Sequence, residues 1–236
     1  MPLGNVVVDA GDPTSHAYFP TDCIVARLHV TAGGAATQVS MVGNEGFVGI
    51  AMFLGGDSMP HRAVVQSSGF AYRLEAQLFQ AECQRHGETE TLVLRYAQSL
   101  ITQMAQTVVC NRHHTIMQQL CRWLLLSLDR LPGNQLTITQ ELIASILGVR
   151  RESVTVAASE LHRLGAIDYS RGHIVVLDRV KLEQNSCECY FVVMRETERL
   201  LPYLPRNRNV LKSTSPRESR TPKAEYPSSV DPPRKQ

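Results

Sequence analysis

A chain of 236 residues, 43% of them apolar, can bury one large core or two small ones, and its six cysteines show no framework spacing. The net charge of +2 is too small to argue for a nucleic-acid partner by itself, so such a partner must be argued from where the charges sit. No run approaches the roughly 18 consecutive apolar residues of a membrane helix. "MPLGNVVVDAGD" also lacks the basic start and apolar stretch of a signal peptide. The expectation is a cytoplasmic protein with reduced thiols and no membrane partner.

Residues 6 to about 75 read as β structure. "CIVARLHV" alternates Ile24, Ala26, Leu28 and Val30 with Arg27 and His29, the pattern of a half-buried strand. "TAGGAA" is a glycine turn and "TQVSMV" returns, so Cys23 to Val42 is expected to be a hairpin. "RAVVQSS" and "FAYRLEA", with Phe70, Tyr72 and Leu74 alternating, are expected to form a second pair. Short strands at this spacing suggest a roll or sandwich. Between the two pairs lies "MVGNEGFVGIAMFLGGD", in which five glycines punctuate an apolar loop. Loops of this kind can cradle an anion with bare backbone N–H groups, which makes it the candidate ligand loop.

From Glu88 to Val109 there is neither Gly nor Pro, and Val93, Ala97, Leu100, Met104 and Thr107 recur in steps of four and three. That coiled-coil-like seam is the expected dimer interface. "CNRHH" interrupts it and brings soft and imidazole donors together at Cys110, His113 and His114. A metal or haem could bind there, but a structural hinge is the preferred reading, because no second cysteine pair accompanies the cluster. "TIMQQLCRWLLLSLDR" resumes as an apolar-faced helix, and "LPGN" after it is a turn and a candidate domain boundary.

"TITQELIASILGVRRESVTVAASELHRLGAIDYSRGHIVVLDR" is the most informative segment. One helix starts at the N-cap Thr139, continues through Gln140 and Glu141, and ends at Gly148, which supplies the positive φ of a tight turn. A second runs from about Arg150 to Leu164 and is closed by Gly165. Ala144 lets the two backbones cross closely, and Val154 packs the second helix onto the first; Ile143, Leu147, Val149, Ala157 and Leu161 complete the apolar interface. Burying Val154, Ala157, Ala158 and Leu161 leaves Arg151, Glu152, Thr155 and Ser159 on the outer face. Arginine can fork onto guanine O6 and N7, and glutamate can accept from cytosine N4. The pair opens the second helix of a bihelical unit, the part that enters a major groove in such motifs.

"AIDYSRGHIVVLD" then reads as two short strands around a turn, a wing with Ser170 and Arg171 placed to touch phosphate. Thr139 to His173 holds four Arg and no Lys against four acidic residues, so affinity for double-stranded DNA would rest on positioned contacts and helix N-termini. Cys187 and Cys189 in "CECY" stand two apart, which on a helix directs them to different sides; core packing is expected. Beyond Leu204 the Pro-, Ser- and Arg-rich segment reads as a disordered basic tail.

"YFPTDCIV", "MVGNEGFVGI", "QMAQTVVCNRHH", "QLCRWLLLSLDR", "TQELIASILGVRRESVT" and "YSRGHIVVLDR" together resemble the Crp/Fnr transcription regulators, those related to the cyclic-AMP receptor protein, from about Asn5 to Pro205. The resemblance implies an α+β fold: an N-terminal antiparallel β-roll (jelly-roll-like), a long dimerisation helix and a C-terminal winged helix-turn-helix. Its divisions would be a cyclic-nucleotide-binding-like sensor over 1–87, the dimer helix over 88–110, the DNA-binding domain over 111–205 and the tail over 206–236. Family members usually carry a helix and further strand before the position of Val6, so the sensor is expected to be short at that edge. The resemblance implies a bacterial homodimer on a palindromic operator, with recognition helices ~34 Å apart, and RNA polymerase as a partner. Arg151 and Glu152 fall on the family's base-reading pair, and Val156 falls where the cyclic-AMP receptor has a further base-reading arginine. Thr139, Gln140, Arg150 and Ser153 fall where the family touches phosphates.

The effector pocket would be formed by Gly46, Phe47, Val48, Gly49, Ile50, Arg62 and Ala63. Cyclic-AMP binders have a glutamate at Ile50, accepting from the ribose hydroxyl, and an Arg-Ser-Ala where this chain has Arg62-Ala63. Isoleucine cannot accept a hydrogen bond, and an unpaired ribose group would cost roughly 1–3 kcal/mol. Cyclic AMP is therefore not the expected effector. The sequence has no G-x-x-x-x-G-K-[ST], G-x-S-x-G or H-E-x-x-H, and no catalysis is expected.

Overall fold

The computed structural model describes residues 1–170 and 172–202. In chain order the elements are β1 (Val6–Val8), β2 (His16–Pro20), β3 (Ile24–Val30), β4 (Ala36–Val42), α1 (Ala51–Leu54), β5 (Arg62–Ser67), β6 (Ala71–Glu75), α2 (Ala76–Cys83) and α3 (Glu88–His113). They continue with α4 (Ile116–Leu128), β7 (Gln135–Thr137), α5 (Gln140–Leu147), α6 (Arg151–Arg163), β8 (Ile167–Ser170), β9 (His173–Val176), α7 (Arg179–Gln184) and α8 (Glu188–Leu200).

The N-terminal strands form an antiparallel sheet in the order β1-β5-β3-β4 and a two-stranded sheet of β2 and β6. The expected hairpin is present, with Val25 opposite Val42 and Val30 opposite Ala36. The second expected pair is not: β5 pairs with β3 and β1, whereas β6 pairs with β2. The link between β5 and β6 crosses from one sheet to the other around Asp22, which accepts from the Phe70 N–H at 2.6 Å. A Cβ at Gly69 would lie 2.7 Å from the Asp22 carboxylate, so only glycine makes that crossing. Alternation specifies that a strand is half-buried, not which strand it pairs with.

Helix α3 includes Cys110 to His113, so "CNRH" continues the helix instead of interrupting it. The break comes at His114, which is extended, and Thr115 then starts α4 with a capping box completed by Gln118. Two cores result. One gathers Phe47, Val93, Tyr96 and Leu100 beneath the β-roll, and α8 returns to it through Leu200 and Leu201. The other unites Trp123, Leu124, Ile143, Val154, Leu161 and Tyr190 with Ile24 and Met41 of the roll. Because α4 shares this second core, the "LPGN" turn lies inside the C-terminal unit, and the change of unit falls at His114–Thr115.

Polar clamps join the units. Gln103 of α3 accepts from the Met41 N–H at 2.6 Å and donates to the Met41 carbonyl at 3.3 Å. Trp123 donates to Gln38 Oε1 at 3.1 Å. All six cysteines are free and buried. Among the described residues, no helix is long and apolar enough to cross a membrane.

Candidate nucleic-acid interface and the sensor loop

Thr139 caps α5, its Oγ1 accepting from the Leu142 N–H at 3.2 Å. Gly148 ends the helix at φ 67°, the left-handed conformation foreseen for it, and a Cβ there would stand 3.1 Å from Thr37 Oγ1. The elbow of the helix-turn-helix therefore rests on β4. Ala144 is buried at the crossing of α5 and α6, and Val154, Ala157, Ala158 and Leu161 are buried on the inner face of α6. Arg151, Glu152, Thr155 and Ser159 are exposed, as is the N-cap Arg150, while Ser153 is half-buried.

Thr155 Oγ1 donates to Gln140 Oε1 at 2.7 Å, tying the first turn of α5 to α6. Among the described residues no ion pair engages Arg150, Arg151 or Glu152, whereas Arg163 at the far end of α6 is held by Glu160 at 2.6 Å. The N-terminal turn of α6 thus presents one arginine fork and one carboxylate to solvent with nothing competing for them. Val156, 71% exposed, adds an apolar contact on the same face. Strands β7, β9 and β8 form the wing sheet in that order, with Ser170 exposed at the end of β8. Arg171 and the tail over 206–236 lie outside the described residues.

The sensor loop is built for packing. A Cβ on Gly46 would fall 1.9 Å from the Tyr96 ring, so glycine is needed for close approach and not for an anion. Phe47 stacks among Phe19, Phe79 and Tyr96 at centroid distances of 5.4, 5.0 and 5.1 Å, and Tyr96 donates to the Phe47 carbonyl at 2.9 Å. Val48 bridges to Tyr18 through paired backbone bonds. Gly49 takes φ 115° opposite Met52, and Ile50 and Ala63 are buried. Arg62 is bound in bidentate fashion by Asp9 at 2.8 and 3.0 Å. That hydrogen bonding holds the Asp9 carboxyl below its ordinary range.

The predicted dimer seam is turned inward. Val93 and Leu100 are buried in their own subunit's core, Ala97 packs against it, and Met104 and Thr107 are half-buried. Thr107 accepts from the Arg122 guanidinium at 2.6 Å. The outward apolar stripe lies one residue later, at Leu94 (52% exposed), Ile101 (62%) and Val108 (70%), with the exposed Ala105 between them. One residue is a 100° turn of a helix, and the β-roll and α8 occupy the face that the seam covers.

His113 is exposed and stands apart from the donors near it. Cys110 and His114 instead meet Cys187 and Cys189. The expectation that Cys187 and Cys189 diverge fails because Cys187 is the extended N-cap of α8, so the step between them is not a helical one. The C-x-C spacing at a helix start was the signal in the sequence.

An antiparallel roll, a long helix and a winged helix-turn-helix with an open recognition face define the class: a two-domain α+β protein of Crp/Fnr architecture. Residues 118–185 match the Crp-like helix-turn-helix domain, and the chain carries that domain. The fold is shared with a CRP-family transcriptional regulator from Thermus thermophilus (TM-score 0.65, 18% identity, 79% of this chain and 95% of that one). It is shared also with FixK2 from Bradyrhizobium japonicum (TM-score 0.66, 15% identity, 78% and 94%). A second regulator from Thermus thermophilus, of the CRP/FNR family, aligns at TM-score 0.53 and 23% identity, over 79% of this chain and 96% of that one. These proteins are described as transcriptional regulators, not enzymes. No curated protein sequence matches the chain.

Proposed function

We propose that the chain is a sequence-specific DNA-binding transcription regulator of the Crp/Fnr type, acting in the cytoplasm as a homodimer on a palindromic operator. The observation that carries this reading is the unpaired, exposed Arg151 and Glu152 on the first turn of α6, within a matched Crp-like helix-turn-helix. Arg151 forks onto guanine O6 and N7, Glu152 accepts from cytosine N4, and Val156 meets a thymine methyl. Thr155 and Ser159 border these contacts. Thr139, Gln140, Arg150, Ser153, Ser170 and Arg171 position the unit on phosphates. The dimer forms through the outward stripe of α3, at Leu94, Ile101, Ala105 and Val108. RNA polymerase is the downstream partner.

Residues 1–87 act as the sensor, and cyclic AMP is not its effector. Ile50 offers no acceptor, Arg62 is already paired with Asp9, and Phe47 fills the space beneath the loop. The test is selection of bound duplexes from a random pool with the purified protein. An inverted repeat is expected, and Arg151→Ala should relax one guanine in each half-site. Absence of a repeat, or an unchanged motif in the variant, overturns the base-reading assignment. Calorimetric titration with cyclic AMP should give no heat of binding, and submicromolar binding would overturn the effector reading.

A further inference from the structure

Helix α8 begins where α3 ends, and four metal-ligating side chains from three points of the chain converge there. Cys110 comes from the last turn of α3, His114 from the break before α4, and Cys187 and Cys189 from the start of α8. Their donor atoms all lie within 4.8 Å of one another, the three cysteines are buried, and His114 is half-buried. Cys110 Sγ stands 3.5 Å from Cys187 Sγ, and Cys189 Sγ stands 3.6 Å from His114 Nδ1. A tetrahedral zinc site with bonds of about 2.3 Å to sulfur and 2.0–2.1 Å to nitrogen has edges of about 3.8 Å between sulfurs and about 3.6 Å from sulfur to nitrogen. The cluster already has those dimensions.

We propose that Cys110, His114, Cys187 and Cys189 form a closed tetrahedral site for a divalent cation of the zinc type, which fastens α8 to the junction of α3 and α4. The donor set selects the metal: three thiolates and one imidazole suit zinc, and oxygen-seeking cations such as magnesium and calcium do not. All four positions are supplied by the protein, so the site is structural. Glu188 stands between the two α8 cysteines, its Oε1 3.2 Å from His114 Nε2. A carboxylate there keeps the ring proton on Nε2 and leaves the Nδ1 lone pair for the metal, the usual outer support of a ligating histidine. Binding releases the three thiol protons to solvent, and three thiolates with a dication leave one net negative charge. Arg122 supplies the counter-charge. It is 6% exposed, its Nε has no partner, and among the described residues no carboxylate pairs with it.

The site binds the two units together. From the cluster, α8 runs back to the sensor core at Leu200 and Leu201. A metal at its start therefore fixes both ends of the strap that passes the hinge before α4. This inference concerns metal binding alone and stands whether or not the chain reads DNA.

The experiment uses the untagged, full-length chain, purified without chelators, with zinc counted by mass spectrometry. One equivalent per chain is expected. Removal under reducing conditions and refilling with cobalt(II) should give the intense visible absorption of thiolate-bound tetrahedral cobalt, displaced by one equivalent of zinc. Cys187→Ser and Cys189→Ser should lose the stoichiometric metal. Glu188→Gln should keep it with affinity weakened about 10- to 100-fold, and His113→Ala should change nothing. His114→Cys guards against misfolding, because it must retain cobalt and strengthen the sulfur-to-metal absorption. A folded, reduced chain that takes up neither zinc nor cobalt overturns the site, as does a cobalt spectrum indifferent to Cys187→Ser. So does a Cys110–Cys187 disulfide in a protein that remains metal-free on reduction.

Discussion

Glu45 of the sensor loop accepts from Arg130 at the end of α4 at 2.7 Å, with side chains 9% and 6% exposed. Arg130 also donates to the Leu126 carbonyl at 2.7 Å, and the second Glu45 oxygen accepts from the Gly43 N–H at 3.1 Å. A Cβ on Gly43 would meet the Arg130 side chain at 2.6 Å, so the loop lies directly on the arginine stem. The glycine-rich stretch that suggests an anion cradle thus holds an internal carboxylate against an internal cation.

Glu45→Gln should lower stability by about 3 kcal/mol, because it leaves the Arg130 charge buried without its counter-ion. Urea unfolding of the full chain measures this. Glu45→Leu combined with Arg130→Met should recover most of the loss, since an apolar pair of similar volume avoids the desolvation penalty. Equal losses in the single and the double variant would count against a charge origin.

Gly46→Ala should destabilise by at least about 1–3 kcal/mol through overpacking against the Tyr96 ring. Gly55→Ala meets nothing within 4 Å, and its cost comes only from its φ of 81°. Thermal melting should therefore rank Gly46→Ala well below Gly55→Ala. The reverse order would mean that the loop does not sit under Tyr96.

The two faces of α3 should separate in solution. Ile101→Glu leaves the subunit core untouched and should shift a dimer to monomer in sedimentation while the melting of the isolated subunit is preserved. Leu100→Ala, one residue away, should instead cost about 2–5 kcal/mol of stability as a core truncation. If Ile101→Glu remains dimeric at micromolar concentration, the outward stripe is not the interface.

A histidine makes stability fall in mild acid. Arg27, 4% exposed, donates to His61 Nε2 at 2.6 Å, which requires neutral imidazole. Burial first, and the Arg27 charge second, depress the His61 pKa to about 4. An unfolded histidine titrates near 6.5, so between about pH 6.5 and 4 the unfolded chain binds the extra proton. Stability from this group is complete above the unfolded value and is lost as pH falls through that window. After allowance for partial solvent screening, the loss is on the order of 1 kcal/mol. His61→Gln keeps an acceptor and should flatten urea midpoints between pH 7.5 and 5; an unchanged slope would assign the acid sensitivity elsewhere.

What could be read from the chain follows from how local each signal is. The helix-turn-helix was legible because Thr139, Ala144, Gly148 and Val154 each carry a local requirement, and the structure meets all four. The β3–β4 hairpin was legible for the same reason. The pairing of β6 with β2 was not, since about fifty residues separate His16 from its partner Glu75 and alternation names no partner. The seam on α3 illustrates a second limit. A period gives a face but not its orientation, and Val93 and Leu100 look the same in sequence whether they meet a neighbour or their own sheet. Cys187 escaped because helical geometry was assumed at a residue that caps the helix.

Gly148 touching Thr37 bears on how freely these parts can be exchanged. A reading head whose elbow leans on a strand of the sensor is not a cassette. Grafted onto another roll, it would need a small side chain waiting at the position of Thr37. A bulky one there would tilt α5, carry α6 with it and swing Arg151 out of register with its base. Operator preference in this chain is therefore written in part on β4, in a residue that never approaches DNA.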